Sequence, residues 1–502
     1  MNRRTVLALV ATGMLVTACS RDSASPAAQP VASGNGYHYG ALAFKPCSLA
    51  APGGSGGALE AQCATMQVPE DRSKPDGRKI ELHIAWLQPS NEADALPDPL
   101  VMIAGGPGQS ALQSFPMFMP ALKDARKLRS ILLIDQRGTG KSNPLNCKDE
   151  REDRLDAAPE AAAALTRACI ETLSAKADLR HYTTTEAVAD LDAVRQALGI
   201  DQLNLYGVSY GTRVAQQYAM RHPQHTRTIT LDSPVPNTLG LGNIFARNLD
   251  DALAAQFAVC KASPSCAKAM GDPQAELRAL LARLRTSPVQ VAYRDASTGE
   301  EKTGTLTADH VAGLVRMYAY MPAAAGLLPQ QIREASQGRY DRLMTLAMML
   351  QGELEDGMAM GMQMSVICTE DAGSFNVNAG DADTVLGTRM TESMAEMCAA
   401  WPAGTKPADF NAPLKGDVPA LVLSGEYDPV TPPRYAEEIA KGLPNARWFN
   451  LKGQGHGVLT AGCMPKLFAQ FLEKADATSL DAACLDTLPP LLPFTSFNGW
   501  EP

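Results

Sequence analysis

The sequence predicts an α/β fold, in which a mostly parallel central sheet has helices on both faces and carries an inserted, mainly helical cap. Buried strand-like runs at Pro99 to Ala104 and Ser130 to Asp135 are followed by polar, glycine-rich turns. The pattern returns near the end of the chain at Ala420 to Gly425 and Ala446 to Leu451. Between these groups, Asn237 to Ala412 has helical apolar spacing broken by Gly and Pro. Strands that alternate with helices favour a parallel sheet.

Length and composition limit the domain organisation. The 502 residues, 45% of them hydrophobic, can bury one large core and an inserted subdomain. The net charge of −9 argues against nucleic acid as a partner, since nucleic acid favours a basic face. The predicted segments are a signal peptide over 1–18, a flexible tether over 19–36, the first part of the core over 37–236, the cap over 237–412, the second part of the core over 413–475, and a C-terminal segment stapled to the core over 476–502.

The N-terminal residues predict export. Arg3 and Arg4 precede an apolar run from Val6 to Val16, which is too short for a membrane span of ~20 residues. The residues that end at Cys19 resemble a bacterial lipobox. This implies that Cys19 is lipidated and that the lipid alone anchors the protein at the bacterial cell envelope. The alternative is an ordinary signal peptide with a chance cysteine.

The cysteine count fits an oxidising compartment. If Cys19 carries lipid, ten of the eleven cysteines remain, and an even number suits disulfides. No two cysteines have C-x-x-C spacing, so no metal site is predicted. We expect pairing between neighbours in sequence, which gives Cys47 with Cys63, Cys147 with Cys169, Cys260 with Cys266, Cys368 with Cys398, and Cys463 with Cys484.

A serine between two glycines is the candidate nucleophile. Gly207-Val208-Ser209-Tyr210-Gly211 follows an apolar strand-like run and precedes a helical pattern. In such a strand-to-helix turn the glycines avoid a Cβ clash, and the serine Oγ projects at the start of the helix. The backbone N–H of Tyr210 would lie at the helix N-terminus, where it can stabilise a developing negative charge. The motif also occurs by chance, so its strand and helix context is what favours catalysis.

A nucleophilic serine needs a base and an acid that orients the base. Asp428 lies in the turn after one late strand, and His456 follows the next strand. This order of serine, acid and histidine is that of the nucleophile-elbow enzymes. Both residues would lie beyond the C-terminal ends of strands, where open α/β sheets place their sites.

A glycine-rich segment, Ala104 to Ser110, is the candidate oxyanion loop. It lacks the G-x-G-x-x-G order of a dinucleotide site. We interpret the N–H of Gly106 as the second donor beside that of Tyr210. Gly140-Lys141-Ser142 mimics the end of a P-loop, but Asp135 occupies the position of the required first glycine. No nucleotide or other cofactor is therefore predicted.

Together these motifs resemble the prolyl and tripeptidyl aminopeptidase family of α/β-hydrolase serine peptidases, and in particular its secreted tripeptidyl aminopeptidase-like branch. The resemblance implies Ser209 as nucleophile, Asp428 as orienting acid, His456 as base, and a tight Gly106-Pro107 bond that is open to the cis form. Ala104 and Tyr210 replace the His and Trp that are frequent in the prolyl enzymes, which leaves specificity for proline open. The matching stretches are Ala104 to Ser110, Asp135 to Ser142, Tyr182 to Gly199, Gly207 to Tyr218, Asp428 to Pro432 and Gly455 to Gly457.

The cap contains a short acidic motif, Cys368-Thr369-Glu370-Asp371. It resembles the acidic cap motif of that family, which implies binding of a free α-amine of the substrate. A carboxylate near the nucleophile would attract an ammonium group, and we favour Glu370 over Asp371. The alternative is a solvated acidic loop.

These patterns predict an exported serine peptidase that releases short N-terminal peptides by acyl-enzyme hydrolysis, without metal or cofactor. Its expected partners are peptides with a free N-terminus. One alternative is a carboxylesterase or lipase with the same triad. Another is a catalytically silent surface lipoprotein that binds ligands or handles metal on a hydrolase scaffold. Met358, Met360, Met362 and Met364 alternate and could hold Cu(I), but methionines more often line an adaptable apolar pocket.

Overall fold

A computed structural model describes residues 31–33, 36–50, 57–147, 159–488 and 492–496. The predicted signal peptide, the proposed lipidation site Cys19 and most of the predicted tether lie outside the described residues. Residues 31–33, which we assigned to the tether, form a strand instead. No helix of the described ranges has the length and apolar character to cross a membrane.

The chain forms one large sheet and one two-stranded sheet. Along the large sheet the order is β1-β2-β3-β4-β5-β7-β6-β8-β9-β12-β13. The strands are β1 (Val31–Ser33), β2 (Gly36–Tyr39), β3 (Leu42–Leu49), β4 (Leu59–Pro69), β5 (Lys79–Leu87), β6 (Leu96–Ile103), β7 (Arg129–Ile134), β8 (Leu203–Val208), β9 (Thr226–Asp232), β10 (Val289–Arg294), β11 (Glu301–Leu306), β12 (Ala420–Gly425) and β13 (Ala446–Leu451).

The half of the large sheet that carries the candidate site is parallel. The strands β7, β6, β8, β9, β12 and β13 all pair in parallel. An antiparallel extension, β1 to β5, joins this half through β5 and β7. In β7, β8 and β12 every residue is buried, as expected for strands covered on both faces.

Helices pack on both faces of the sheet, as the fold class predicted. One face is covered by α3 and α4, through residues such as Val194 and Val214, and the other by α1 and α15, through residues such as Phe115 and Phe468. The helices are α1 (Ala111–Leu122), α2 (Pro159–Ser174), α3 (Thr184–Ala197), α4 (Tyr210–Arg221), α5 (Phe245–Ala262), α6 (Pro264–Met270), α7 (Pro273–Thr286), α8 (Ala308–Ala319), α9 (Pro322–Ala325), α10 (Leu328–Ser336), α11 (Asp341–Gly357), α12 (Met360–Glu370), α13 (Arg389–Ala400), α14 (Pro433–Lys441) and α15 (Met464–Lys474).

The mainly helical insert lies between β9 and β12, where the sequence placed the cap. Helices α5, α7, α8, α10 and α11 share an apolar core of their own with the hairpin of β10 and β11. The sequence analysis did not predict this hairpin. The segment of α12 packs differently, because Met362 and Val366 join the cluster formed by α3 and α4. The end of the insert is therefore part of the main core.

The ten described cysteines form five disulfides between neighbours in sequence, the same pairs that the sequence analysis expected. They join Cys47 to Cys63, Cys147 to Cys169, Cys260 to Cys266, Cys368 to Cys398, and Cys463 to Cys484. Multiple disulfides are typical of proteins outside the cytoplasm.

Candidate active site

The turn from β8 to α4 gives Ser209 an unusual backbone. Ser209 has φ 55° and ψ −126°, a region that non-glycine residues adopt only when the surrounding structure holds them there. The two flanking glycines are necessary because the backbone is crowded. A Cβ on Gly207 would lie 2.4 Å from the carbonyl oxygen of Gly211, and a Cβ on Gly211 would lie 2.3 Å from that of Ile103. This is the geometry of a nucleophile elbow.

Asp428 and His456 meet through a short hydrogen bond. The Nδ1–H of His456 lies 2.8 Å from Oδ2 of Asp428, and their side chains are 9% and 0% exposed. The other Asp428 oxygen accepts from the backbone N–H groups of Val430 and Thr431, at 2.9 and 2.8 Å. A carboxylate at Nδ1 places the proton there and leaves Nε2 of the ring as the base.

The interaction between Asp428 and His456 shifts the pKa of each group so that its charged form is favoured. Burial alone would lower the pKa of His456, but the negative charge and hydrogen bond of Asp428 prevail and raise it. Burial likewise favours neutral Asp428, yet His456 and the backbone donors hold the pKa of Asp428 below its usual value. An imidazolium formed during a reaction would therefore be stabilised.

Ser209 and the His456 loop are both attached to the end of β9. The N–H of Ser209 donates to the carbonyl of Asp232, at 2.9 Å. The Asp232 carboxylate accepts from the N–H groups of Val458 and Leu459, at 2.8 and 3.0 Å. A Cβ on Gly457 would lie 3.8 Å from a methyl carbon of Val208. The loop that carries His456 thus lies directly beside the elbow.

The hydroxyl of Ser209 and Nε2 of His456 have no hydrogen-bond partner in the part of the chain that the structure describes. Within the described part of the chain, the Ser209 hydroxyl makes no hydrogen bond to the His456 ring or to any other group. Among the same described residues, the His456 ring forms hydrogen bonds only through Nδ1, to Asp428 and, at 3.3 Å, to the Thr431 hydroxyl. The arrangement thus brings together the predicted acid and base, and places the predicted nucleophile on the adjoining loop with its hydroxyl open.

The predicted oxyanion loop lies against the nucleophile. A Cβ on Gly105 would lie 3.1 Å from the Cβ of Ser209. Gly106 has φ 108°, and the Gly106-Pro107 bond is cis. Among the residues that the structure describes, neither the N–H of Gly106 nor that of Tyr210 has an acceptor. Both amides are therefore available to an oxyanion.

The two predicted amine-binding acids are buried and already have internal partners. Both oxygens of Glu370 accept from Thr184, from its N–H at 2.7 Å and its hydroxyl at 2.9 Å. The hydroxyl of Thr184 also contacts that of Tyr210, at 2.7 Å. Asp371 accepts from Arg213 at 3.0 and 3.1 Å. The alternative of a solvated acidic loop is wrong, because Glu370 and Asp371 are 3% and 1% exposed.

Burial changes the charge of Glu370. Desolvation raises its pKa to about 7, although Arg213 opposes the rise and Asp371 adds to it. Glu370 therefore titrates near neutral pH. Its partner Thr184 also contacts Tyr210, the residue that follows the candidate nucleophile. A role for either acid in binding a substrate amine stays a prediction.

Several site residues were not predicted. Asp232 and Ser233 at the end of β9 accept hydrogen bonds from the His456 loop. The sequence feature that could have identified them is the acidic residue that ends the mostly apolar strand Thr226–Asp232. Asp135 accepts from Ser110 at 2.6 Å and from the N–H of Leu112 at 3.1 Å, and so fixes the end of the oxyanion loop. The sequence analysis placed Asp135 at the end of a strand and within a matching stretch, but gave it no role in the site.

Tyr320 in the insert was also missed, and no sequence pattern identifies it. Its carbonyl accepts the N–H of His456 at 2.8 Å. The two ring centroids are 5.0 Å apart in an edge-to-face arrangement. The insert therefore contacts the catalytic histidine candidate directly.

Comparison with known proteins agrees with this geometry. Three relatives are a serine protease named Hip1 from Mycobacterium tuberculosis, 26% identical over 86% of this chain and 88% of its own length; a tripeptidyl aminopeptidase from Streptomyces coelicolor, 26% identical over 86% and 84%; and a carboxylesterase B from Mycobacterium tuberculosis, 27% identical over 76% and 78%. A family model described as the alpha/beta hydrolase fold matches residues 98–460. This range includes Ser209, Asp428 and His456 and covers well over half of the chain, so the chain belongs to the alpha/beta hydrolase family.

Proposed function

We propose that the protein is an exported serine peptidase that releases short peptides from substrates with a free N-terminus. The observation that carries the proposal is the buried pair of Asp428 and His456, 2.8 Å apart. The loop of His456 adjoins the strained elbow of Ser209. Such a pair, next to a serine hydroxyl that makes no hydrogen bond to another described residue, is the arrangement that activates a serine nucleophile.

The mechanism is acyl transfer. Ser209 Oγ attacks the peptide carbonyl carbon while its proton passes to Nε2 of His456, and the charge on the carbonyl oxygen is met by the N–H groups of Gly106 and Tyr210. The imidazolium then gives its proton to the leaving amine as the C–N bond breaks. Water, deprotonated by the same ring, hydrolyses the ester and restores Ser209. Asp428 holds the ring tautomer and stabilises its positive charge throughout.

Two considerations support a peptidase. The relatives named serine protease and tripeptidyl aminopeptidase each align with 86% of the chain. The insert, through Tyr320, also covers one side of His456 and restricts the approach of a substrate. Glu370 and Asp371 remain our candidates for the substrate amine, and Glu370 reaches the elbow through Thr184 and Tyr210.

A carboxylesterase is the second candidate, because one relative carries that name and because the same three groups cleave esters. We also propose that Cys19 is lipidated and that residues 1–18 are removed on export. The domain boundaries given above are part of this proposal, except that residues 31–33 form a strand and do not belong to the tether.

A fluorogenic panel tests the function. Mono-, di- and tripeptide amides are compared with free and N-acetylated termini, in the wild type and in Ser209→Ala. We expect cleavage of at least one free-amine peptide, loss of cleavage on acetylation, and a fall of kcat of roughly a thousandfold or more in Ser209→Ala.

Other results of this panel would contradict the proposal. Equal rates on free and acetylated substrates, with faster cleavage of simple esters, would favour the esterase. Cleavage that survives in Ser209→Ala would exclude the mechanism altogether.

A further inference from the structure

Arg316 lies beside the candidate site, on the insert. It is in the last turn of α8, one turn before Tyr320. Tyr320 contacts the ring of His456 and accepts its backbone N–H. Burial lowers the pKa of His456, and the positive charge of Arg316 acts on it in the same direction, against the stronger effect of Asp428. The guanidinium is therefore close enough for its charge to act on the catalytic base candidate.

Arg316 has no carboxylate partner within 4.0 Å among the residues for which side chains are described. Other arginines of the insert do have one. Arg247 lies 2.9 Å from Asp381, and Arg333 lies 2.5 Å from Glu276. Arg316 instead stacks on Phe245, with its guanidinium carbon 4.9 Å from the ring centroid. Stacking fixes the plane of the guanidinium, and the guanidinium also interacts with the side chain of Tyr320.

A purely structural role explains only part of this arrangement. A basic side chain in the last turn of a helix interacts favourably with the helix dipole. That role does not require an aromatic platform, a partly buried position or the neighbourhood of His456. An oriented guanidinium without an anion is instead suited to bind a carboxylate through two parallel hydrogen bonds.

The position next to His456 indicates which side of the substrate is bound. In the proposed mechanism His456 gives its proton to the leaving amine. Side chains of the insert next to this ring, such as Arg316, would therefore lie on the leaving-group side of the scissile bond. One or two extended residues span about 3.5 to 7 Å. The insert meets the His456 ring on this side through Tyr320, with 5.0 Å between the two ring centroids. A carboxylate one or two residues beyond the cut would therefore lie on the side of the ring that the insert covers.

We infer that Arg316 binds a carboxylate on the leaving-group side of the scissile bond. The protein would then prefer short peptides whose free C-terminus, or an acidic side chain, lies one or two residues beyond the cut. This inference rests on the proposed peptidase function and adds to it the class of leaving group.

The test uses matched peptides that differ only in charge. Tetra-alanine with a free C-terminus is compared with its C-terminal amide, and Ala-Ala-Ala-Glu amide with Ala-Ala-Ala-Gln amide. The first pair tests the terminal carboxylate and the second tests the side chain. For wild type we expect kcat/KM to favour the charged member of at least one pair by about tenfold or more. Arg316→Gln should bring the ratio close to one, and Arg316→Lys should keep part of it.

The control is Arg283→Gln. Arg283 also lies in the insert and also stacks on an aromatic ring, with its guanidinium carbon 5.7 Å from the centroid of Tyr340. Its guanidinium donates to the carbonyl of Ala335 at 3.3 Å, within the insert, so its variant should keep the wild-type ratio. Equal rates on charged and neutral peptides in the wild type, or a ratio unchanged in Arg316→Gln, would overturn the inference. Thermal unfolding of each variant separates these results from a loss of folded protein.

An ester pair separates this inference from the proposed function. 4-Acetoxybenzoate and 4-acetoxybenzamide have leaving groups that differ in one carboxylate. If no peptide is cut but these esters show a preference that depends on Arg316, the peptidase proposal fails and the carboxylate site stands. If peptides are cut without any such preference, the peptidase stands and the carboxylate site fails.

Discussion

At the scale of single residues, Asp428 shows how neighbours determine the state of a group. It is fully buried, which alone would favour its neutral form. Two backbone N–H groups, the Thr431 hydroxyl and the His456 ring together supply a donor to each oxygen. These donors keep Asp428 ionised, and the ionised carboxylate in turn raises the pKa of His456.

The first prediction concerns pH. His456 must be neutral to accept the Ser209 proton, so kcat/KM should fall as pH drops through a pKa above the usual value of about 6.5. In Asp428→Asn the charge that raises this pKa is gone and burial lowers it, so the acidic limb should move to lower pH. The tautomer is also lost, and kcat should fall by roughly a thousandfold or more.

The measurement is the pH–rate profile of Asp428→Asn beside that of Asp409→Asn. Asp409 forms a salt bridge with Arg221 at the protein surface. Its variant should reproduce the wild-type profile. An acidic limb that stays in place in Asp428→Asn would contradict the assignment.

The same shifts predict how stability depends on pH. The folded-state pKa of His456 is raised, so its contribution to stability is present below about 6.5 and is lost as pH rises through the folded value. The folded-state pKa of Asp428 is lowered, so its contribution is present above about 3.9 and is lost as pH falls through the folded value. The pair therefore stabilises the fold most between these limits.

At the scale of elements, the site depends on how closely two strand-to-helix turns approach. The oxyanion loop after β6 and the elbow after β8 are in contact because β6 and β8 are neighbours in the sheet. Gly211, in the first turn of α4, makes this possible. A Cβ there would lie 2.3 Å from the carbonyl oxygen of Ile103 and 2.8 Å from that of Ala104, and both atoms are backbone.

The second prediction is that Gly211→Ala damages both activity and stability. The end of β6 must move to admit the methyl group, which displaces the loop of Gly106, and overpacking of this kind costs about 1–3 kcal/mol in the free energy of unfolding. Gly357→Ala is the matched control, since Gly357 also lies in a helix but has open space around its Cβ position. Chemical denaturation and kcat measure the two effects. A Gly211→Ala variant as active and stable as Gly357→Ala would contradict the crowding argument.

At the scale of the whole molecule, disulfides fix segments that lie outside the central sheet. The loop after His456 packs through Val458 and Leu459 into the cluster that also includes α15. Cys463 lies just before α15, and its bond to Cys484, 21 residues later, fastens the segment after this helix. The loop that carries His456 and the end of the chain are thus joined in one unit.

The third prediction is that the double variant Cys463→Ser, Cys484→Ser loses about 3 kcal/mol in the free energy of unfolding, because a loop of this length is no longer closed in the unfolded chain. It should also lose kcat at temperatures where it is still folded, since the His456 loop is less firmly held. The bond between Cys260 and Cys266 in the insert joins residues only six positions apart. The double variant Cys260→Ser, Cys266→Ser should therefore lose less stability and little activity. Equal losses of activity in the two variants would count against this role.

The sequence by itself determined the parts that depend on local pattern. The apolar runs of β8 and β12 identify buried strands, the glycines around Ser209 identify a sharp turn, and the spacing of cysteines suggested the pairs that form. Each of these depends on neighbours along the chain, so the residues alone carry the information.

Only the tertiary structure decided which distant groups meet. Asp428 and His456 come together because β12 and β13 are parallel neighbours, and Asp232 and Tyr320 contact the His456 loop from β9 and from the insert. The sequence left open whether Glu370 and Asp371 form a solvated loop, and the structure shows that both are buried, with Thr184 and Arg213 as partners. Such contacts depend on how separate elements pack across the sheet, and no local pattern of residues encodes that arrangement.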